Sequence, residues 1–397
     1  MRKLTLAVIG LYVGILSAFS QHGIDTAAYK NKNLKISEIN FVTAYYHQEG
    51  DHSPVTGGIG TEKLSDYATT IELKLNKYDK HDLKHDFNFE LGVDYYSSAS
   101  SDKIDPTTIS SASRSDTRFY PSASWIVTNE MKGNALGVYG SFSVESDYIS
   151  KGLGVGFTKT SKNKNTEFGI KLQSYLDKVK LVLPIELRTV FYKNLGDYPH
   201  ASRNSYSSSL TLSQVINSRL QMTLLLDLVY QQGYLGTPFH RIYFNNNALT
   251  NEKLPSSRFK IPVGVRLNYF LGDKFIIRTY YRYYHDDWGL TANTFNIETP
   301  VKITSFISVS PFYRYYNQSA VKYYAPYMAH DPADVFYTTD DDLSKFSSNF
   351  AGVGLRLSPP GGIFGFSHLN MLELRYGHYK RTDGLHSDII TLNLKFK

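Results

Sequence analysis

Between residues 258 and 288 the chain alternates strictly. Phe259, Ile261, Val263, Val265, Leu267 and Tyr269 are apolar, and Lys260, Pro262, Gly264, Arg266 and Asn268 stand between them. A polar break, Gly272-Asp273-Lys274, interrupts the run. The alternation resumes with Phe275, Ile277, Thr279, Tyr281 and Tyr283, interleaved with Ile276, Arg278, Tyr280, Arg282 and Tyr284. Period two over this length predicts two strands joined by a short turn. Soluble strands usually run to about 5–6 residues. These are roughly twice that, as a tilted membrane-crossing strand requires. One face is greasy and aromatic and the other carries Arg and Lys, which predicts a lipid face and a lumen face.

The same pattern recurs along the chain. Strands are expected at 35–46, 64–78, 84–96, 117–127, 134–144, 151–160, 166–175, 205–216 and 220–230. The 258–288 pair follows, then 290–301, 304–316, 349–357, 368–380 and 388–397. That makes an all-β, antiparallel, up-and-down transmembrane barrel of about sixteen strands, with fourteen or eighteen as alternatives. Loop lengths fit, because barrels of this kind have short periplasmic turns and longer outer loops. With the first strand running outward, the long breaks fall outside and the last strand ends in the periplasm. The segment 176–204 is the ambiguous one. Its run Leu181-Val182-Leu183-Pro184-Ile185-Glu186-Leu187 looks like a strand. A single extra strand would leave the N-terminus outside, so an outer loop folding over the mouth or into the lumen is expected; an extra hairpin would give eighteen strands. The last strand alternates and carries Phe396 near its end, which resembles the assembly signal of outer-membrane barrels, although Lys397 follows.

Residues 1–20 read as a secretory signal peptide. Met1-Arg2-Lys3 gives the positive start, 4–18 the apolar core, and Ala18-Phe19-Ser20 a small-x-small cleavage site. Residues 21–34 are a polar periplasmic leader, and 35–397 the barrel. No later run of 18 apolar residues exists, so no spanning helix is expected. A mean hydropathy of -0.31 fits a barrel, in which only alternate residues meet lipid. The 32 Tyr and 23 Phe suit strands and interfacial girdles. The absence of Cys removes disulfides, thiolate metal sites and Cys nucleophiles. The net charge of +7 could suggest nucleic acid, but the basic residues are spread singly through strands, so that partner is rejected.

Candidate chemistry is sparse. Arg266, Arg278, Arg282, Arg314, Arg356 and Arg375 fall on the lumen face. They are expected either to pair with the lumen carboxylates Glu72, Glu90, Asp94, Asp227 and Glu373, or to form a positive ladder guiding an anionic solute. His285-Asp286-Asp287 and Asp340-Asp341-Asp342 could offer oxygens to Ca²⁺ but lack the spacing of a calcium loop, so solvated loops are expected. The group His47, Asp51, His52 is similarly weak as a metal site. Gly57-Gly58-Ile59-Gly60 is followed by no Lys-Ser/Thr and is not a phosphate loop. No Gly-x-Ser-x-Gly elbow is present. No catalytic residues and no cofactor are expected.

Three stretches carry a family resemblance: Gly233-Tyr234-Leu235-Gly236-Thr237-Pro238-Phe239-His240-Arg241-Ile242-Tyr243, Tyr281-Arg282-Tyr283-Tyr284-His285-Asp286-Asp287-Trp288-Gly289, and Tyr313-Arg314-Tyr315-Tyr316-Asn317-Gln318-Ser319-Ala320. Tyr45-Tyr46-His47-Gln48 and the glycine-rich loop after it match too. The chain resembles a family of outer-membrane barrels known mainly from Bacteroidota and catalogued as a domain of unknown function. The resemblance implies the barrel and supplies no mechanism. Its motif residues, among them Tyr234, Pro238, His240, Arg241, Asp286, Asp287, Trp288 and Gln318, are all expected at outer strand ends or in outer loops. The reading that follows is an exported outer-membrane barrel, surrounded by lipid, inserted by the barrel assembly machinery and passing small solutes. A non-conducting scaffold that docks a lipoprotein, a barrel-housed enzyme and a soluble all-β protein are the rivals.

Overall fold

A computed structural model describes residues 32–97, 115–188 and 198–397. The signal peptide at 1–20 and all but the end of the leader lie outside the described residues. The barrel strands are β1 (Lys35–Glu49), β2 (Leu64–Tyr78), β3 (Lys84–Ser97), β4 (Ser115–Asn129), β5 (Asn134–Val144), β6 (Tyr148–Thr160), β7 (Thr166–Lys180) and β8 (His200–Asn217). They continue as β9 (Leu220–Gly233), β10 (Ser257–Leu271), β11 (Phe275–Asp286), β12 (Thr291–Glu298 with Val301–Lys302), β13 (Ile307–Gln318), β14 (Phe346–Leu357), β15 (Leu369–Arg381) and β16 (His386–Phe396). β12 is split because Pro300 has no N–H to give the ladder, but both pieces lie between β11 and β13. Each strand pairs antiparallel with the next, and β16 closes on β1 from Ile39↔Phe396 to Glu49↔His386. Among the described residues the barrel therefore has sixteen strands, and a sheet closed on itself has no open edge.

The alternation sets the two faces. Outward positions hold large exposed apolar side chains: Leu91, Leu153, Leu172, Leu224, Val263, Leu355 and Leu374 across the middle of the wall. Tyr67, Tyr95, Tyr206, Tyr230, Phe259, Tyr283 and Tyr315 form an outer aromatic girdle, and Trp125, Phe157, Phe168, Tyr269 and Phe275 an inner one. Phe259 and Tyr269 are ten residues apart on β10. At about 3.4 Å per residue and a tilt of about 40°, that spans about 26 Å, the height of a barrel's apolar band. Some girdle hydroxyls donate to outward polar residues, as Tyr281 does to Asn293 and Tyr376 to Asp388, both at 2.7 Å. The wall is thus built to face hydrocarbon, and the protein is a membrane-spanning barrel of the outer-membrane type.

The inner ends of the strands match the sequence reading closely, while the outer ends run further. β1 reaches Glu49, β7 Lys180, β9 Gly233 and β13 Gln318, and β8 begins at His200 and β14 at Phe346. Inner ends are fixed by tight turns. Above the outer girdle both faces of a strand are wet, so the hydrophobic alternation stops before the hydrogen-bonded ladder does. The run 181–187 is no strand: it leaves β7, makes a 3-10 turn at Ile185–Leu187 and brings Glu186 within 3.0 Å of Arg241.

Candidate pore lining and outer lid

Inward side chains of β10 to β15 form a basic wall. Arg266, Arg278, Arg314 and Arg356 are exposed to solvent although they point inward, so the lumen holds water at their level. Among the described residues none of these four, nor Arg282, makes an ion pair with a carboxylate. The Arg266 guanidinium lies over the Tyr280 ring at 5.6 Å and that of Arg314 over Phe350 at 5.5 Å. The expected pairing with lumen carboxylates holds for one arginine. Arg375 bonds Glu373 at 2.9 Å and Glu298 at 3.1 Å, and lies over Phe312. Glu298 was missed in the sequence because it lies 77 residues from Arg375, although it stands across from Arg278 in the register.

The other expected carboxylates sit elsewhere. In a ring of sixteen, strands eight apart face each other, so β2 and β3 face β10 and β11. Glu72 and Glu90 are register partners there, and Asp94 accepts the Tyr120 hydroxyl at 2.7 Å. Glu72 belongs to a cluster with Glu38, Asn40, Lys74 and Lys395. Asp227, on β9, forms no ion pair among the described residues. On that side Lys74 and Lys395 neutralise Glu38 and Glu72, while Glu90 and Asp94 make no ion pair among the described residues.

The outer mouth is roofed. The first outer loop (50–63) and the fifth (234–256) leave the rim eight strands apart, on opposite sides, yet they touch. Arg241, buried on the fifth-loop hairpin Arg241–Tyr243/Leu249–Asn251, donates from Nη1 to the Val55 carbonyl at 2.7 Å. Its Nη2 reaches Glu186 of the fourth outer loop at 3.0 Å. Its own carbonyl accepts the Thr339 hydroxyl of the seventh outer loop (319–345) at 3.3 Å. One guanidinium and one peptide thus join four loops over the lumen.

The glycine run in the first loop permits this contact. Gly57 and Gly58 have φ of 91° and 90°. A Cβ on Gly57 would stand 2.8 Å from the Tyr243 ring, and one on Gly58 2.9 Å from the Thr339 carbonyl. Only glycine lets this backbone lie so close to the two other loops.

The lid also has a small core of its own. Trp288, Leu290, Ala292 and Val321 are buried together, with Leu235, Leu254, Tyr323 and Leu343 packed on them. The Trp288 indole donates to the Ser257 carbonyl at 2.9 Å and lies under Arg258. Asp286 is 1% exposed and fully used: it pairs with Arg258, accepts from the Tyr284 hydroxyl at 2.7 Å and from the Leu290 N–H at 3.0 Å. The backbone of Asp287 bonds Phe259 and Lys322. Gln318 donates to the carbonyls of Asp342 and Ser344. Tyr234 accepts from Arg203 through its carbonyl, and Pro238 sits in the turn that leads to His240. The family-motif residues therefore build and fasten the lid.

Two loop expectations are corrected. Asp286 is not solvated, and neither is most of the 340–342 run. Asp340 caps a 3-10 turn, buried Asp341 accepts the Tyr324 hydroxyl and meets His52 at 3.2 Å, and Asp342 pairs with Arg381. Burial raises the Asp341 carboxyl above the usual range. Glu62 of the first loop is pushed up to about 8, by burial first and then by the Asp342 charge. His47 bonds Ser65 at 2.8 Å and Glu49 at 3.5 Å, while His52 is turned to Asp341.

Solved structures with a similar overall shape include three of low identity. OpdK from Pseudomonas aeruginosa, crystallised with vanillate, is 9% identical with a TM-score of 0.41, covering 92% of this chain and 99% of that one. OccD3 (OpdP) from the same organism is 7% identical with a TM-score of 0.44, covering 92% of each chain. A bacterial polysaccharide outer membrane secretin is 10% identical with a TM-score of 0.43, covering 90% and 98%. No curated protein sequence matches. The model of one sequence family, described as Protein of unknown function (DUF3570), matches residues 12–380, and the chain belongs to that family.

Proposed function

We propose that the protein is an outer-membrane pore for small anionic solutes whose outer mouth is covered by a loop lid. The observation that carries this reading is the set of inward, water-exposed arginines without carboxylate partners, Arg266, Arg278, Arg314 and Arg356. A guanidinium paired in the wall is already spent. One held over an aromatic face, as on Tyr280 and Phe350, keeps its N–H donors free for a passing carboxylate or phosphate. Glu90 and Asp94, which make no ion pair among the described residues and lie on the strand facing β11, add a field across the lumen that favours anions on the basic side. Insertion by a barrel assembly machinery reading the last strand belongs to the same proposal. An activity housed in the barrel does not.

One observation favours a second reading, a scaffold that presents loops or docks a lipoprotein: Arg241 ties four loops across the mouth. Uptake into proteoliposomes separates the two. The pore predicts faster entry of a small monocarboxylate than of a neutral solute of equal size. Replacing Arg266, Arg278 and Arg314 by Gln should remove the difference. No entry of either solute, even with Arg241→Ala loosening the lid, would leave the scaffold standing.

A further inference from the structure

We propose that the lid holds a first-row transition-metal site of the Zn²⁺ class, formed by His240, Glu252 and Asp340. The three come from two loops. His240 and Glu252 flank the hairpin of the fifth outer loop, and Asp340 comes from the seventh. His240 Nδ1 stands 3.7 Å from Glu252 Oε1 and 3.9 Å from Asp340 Oδ2. All three ligand atoms lie within 4.8 Å of one another. These separations are too long for hydrogen bonds. Two ligands bonded to one tetrahedral ion at about 2.0–2.1 Å lie about 3.4 Å apart, so a small inward adjustment closes the site.

The second observation is the imidazole itself. His240 is 8% exposed, and its Nδ1 is buried without a hydrogen-bond partner, aimed between two carboxylates. A buried polar atom without a hydrogen bond is costly, and native folds seldom tolerate one. A metal ion would satisfy it.

The surroundings hold the ligands in place. Glu252 Oε2 accepts the Thr237 N–H at 2.6 Å and Oε1 accepts the Thr338 hydroxyl. Asp340 Oδ1 accepts the Asp342 N–H at 3.0 Å, which leaves Oδ2 for the ion. The hydroxyl of Thr338, 0% exposed, also accepts the Asp340 N–H at 3.0 Å, so one threonine ties the Glu252 carboxylate to the Asp340 backbone. The Glu252 N–H donates to the His240 carbonyl at 3.0 Å, fixing the two fifth-loop ligands relative to each other. Such supporting bonds are typical around metal sites.

The donor set selects the ion. One imidazole and two carboxylates suit Zn²⁺ and its neighbours, which often complete such a set with a water molecule. Calcium wants six to eight oxygens and takes no imidazole here. Metal binding would clasp the fifth loop to the seventh. The binding claim stands without the pore reading; its consequence for gating rests on that reading.

The test uses full-length protein, folded in detergent, stripped with chelator and titrated with ZnCl₂ by calorimetry. Heat-modified gel mobility checks the barrel of each variant. One Zn²⁺ per chain is expected, with affinity reduced at least tenfold in His240→Asn, Glu252→Gln and Asp340→Asn, and about tenfold in Thr338→Val. Co²⁺ should give the intense visible bands of a four-coordinate ion. Asp340 is the most exposed of the three ligands, so its variant remains readable if the buried ones do not fold. Hydrogen exchange should slow in both loops on adding Zn²⁺, and not in Asp340→Asn. The proposal is overturned by the absence of saturable binding, by equal affinity in Asp340→Asn, or by binding of Ca²⁺ alone. Zn²⁺ binding without uptake of any solute would leave the site intact and remove only its link to transport.

Discussion

Arg241 shows how much a single side chain can decide. It lies in a motif that the sequence reading could place at the outer end, but its partners Val55, Glu186 and Thr339 are far away in sequence. Truncating it removes a partly buried ion pair and leaves the Val55 carbonyl unpaired. Glu186 is partly exposed, so a cost of about 2 kcal/mol is expected rather than the full penalty of a buried pair. Arg241→Ala should therefore speed hydrogen exchange in loops 50–63 and 234–256 while the strands stay protected. Glu62 gives a pH dependence. Its carboxyl is raised to about 8 in the closed lid, where Asp340, Asp341, Asp342 and Arg381 act on it. The closed lid thus holds a proton that the open one releases. Stability is full below about 4.5 and is lost as pH rises through 8. Between pH 7 and 9 the loss is about 1.4 kcal/mol, a tenfold shift toward opening. Exchange in the first loop should quicken over that range, and Glu62→Gln should abolish the change.

At the scale of elements, strands were legible in the sequence and loops were not. Lipid forces an apolar residue at every second position, so the runs at 64–78 and 134–144 could be bounded at both ends, as β2 and β5 show. Inward arginines were legible for the same reason, since parity alone puts Arg282 and Arg314 on the lumen face. Their partners were not, because pairing depends on register across strands, as Arg375 and Glu298 illustrate. The lid was the least legible part. Trp288, Leu290 and Val321 form a core without any period, and the 340–342 run has the composition of a solvated loop. The three candidate metal ligands are spread over a hundred residues, with no local spacing to betray them. Two substitutions test this element. Gly58→Ala places a methyl against the Thr339 carbonyl at a positive φ, and should detach the first loop from the seventh. Trp288→Ala empties the lid core at a cost of about 3–5 kcal/mol in lid docking. Limited proteolysis should then cut loop 319–345 in both variants and leave the barrel band whole.

The whole molecule combines a closed wall with two unlike halves inside it. Strands β10 and β11 carry Arg266 and Arg278 in water, and β2 and β3, which face them, carry Glu72, Glu90 and Asp94. Above this lumen four loops meet at Arg241. The arrangement makes sense as a path for anions that opens when the lid moves. Reversal potential in a planar bilayer under a KCl gradient reads that claim most directly. Arg241→Ala protein should conduct with anion selectivity, and adding Arg266→Glu, Arg278→Glu and Arg314→Glu should turn the selectivity toward cations. A barrel that carries no current with its lid loosened, or one whose selectivity ignores those three charges, would contradict the account.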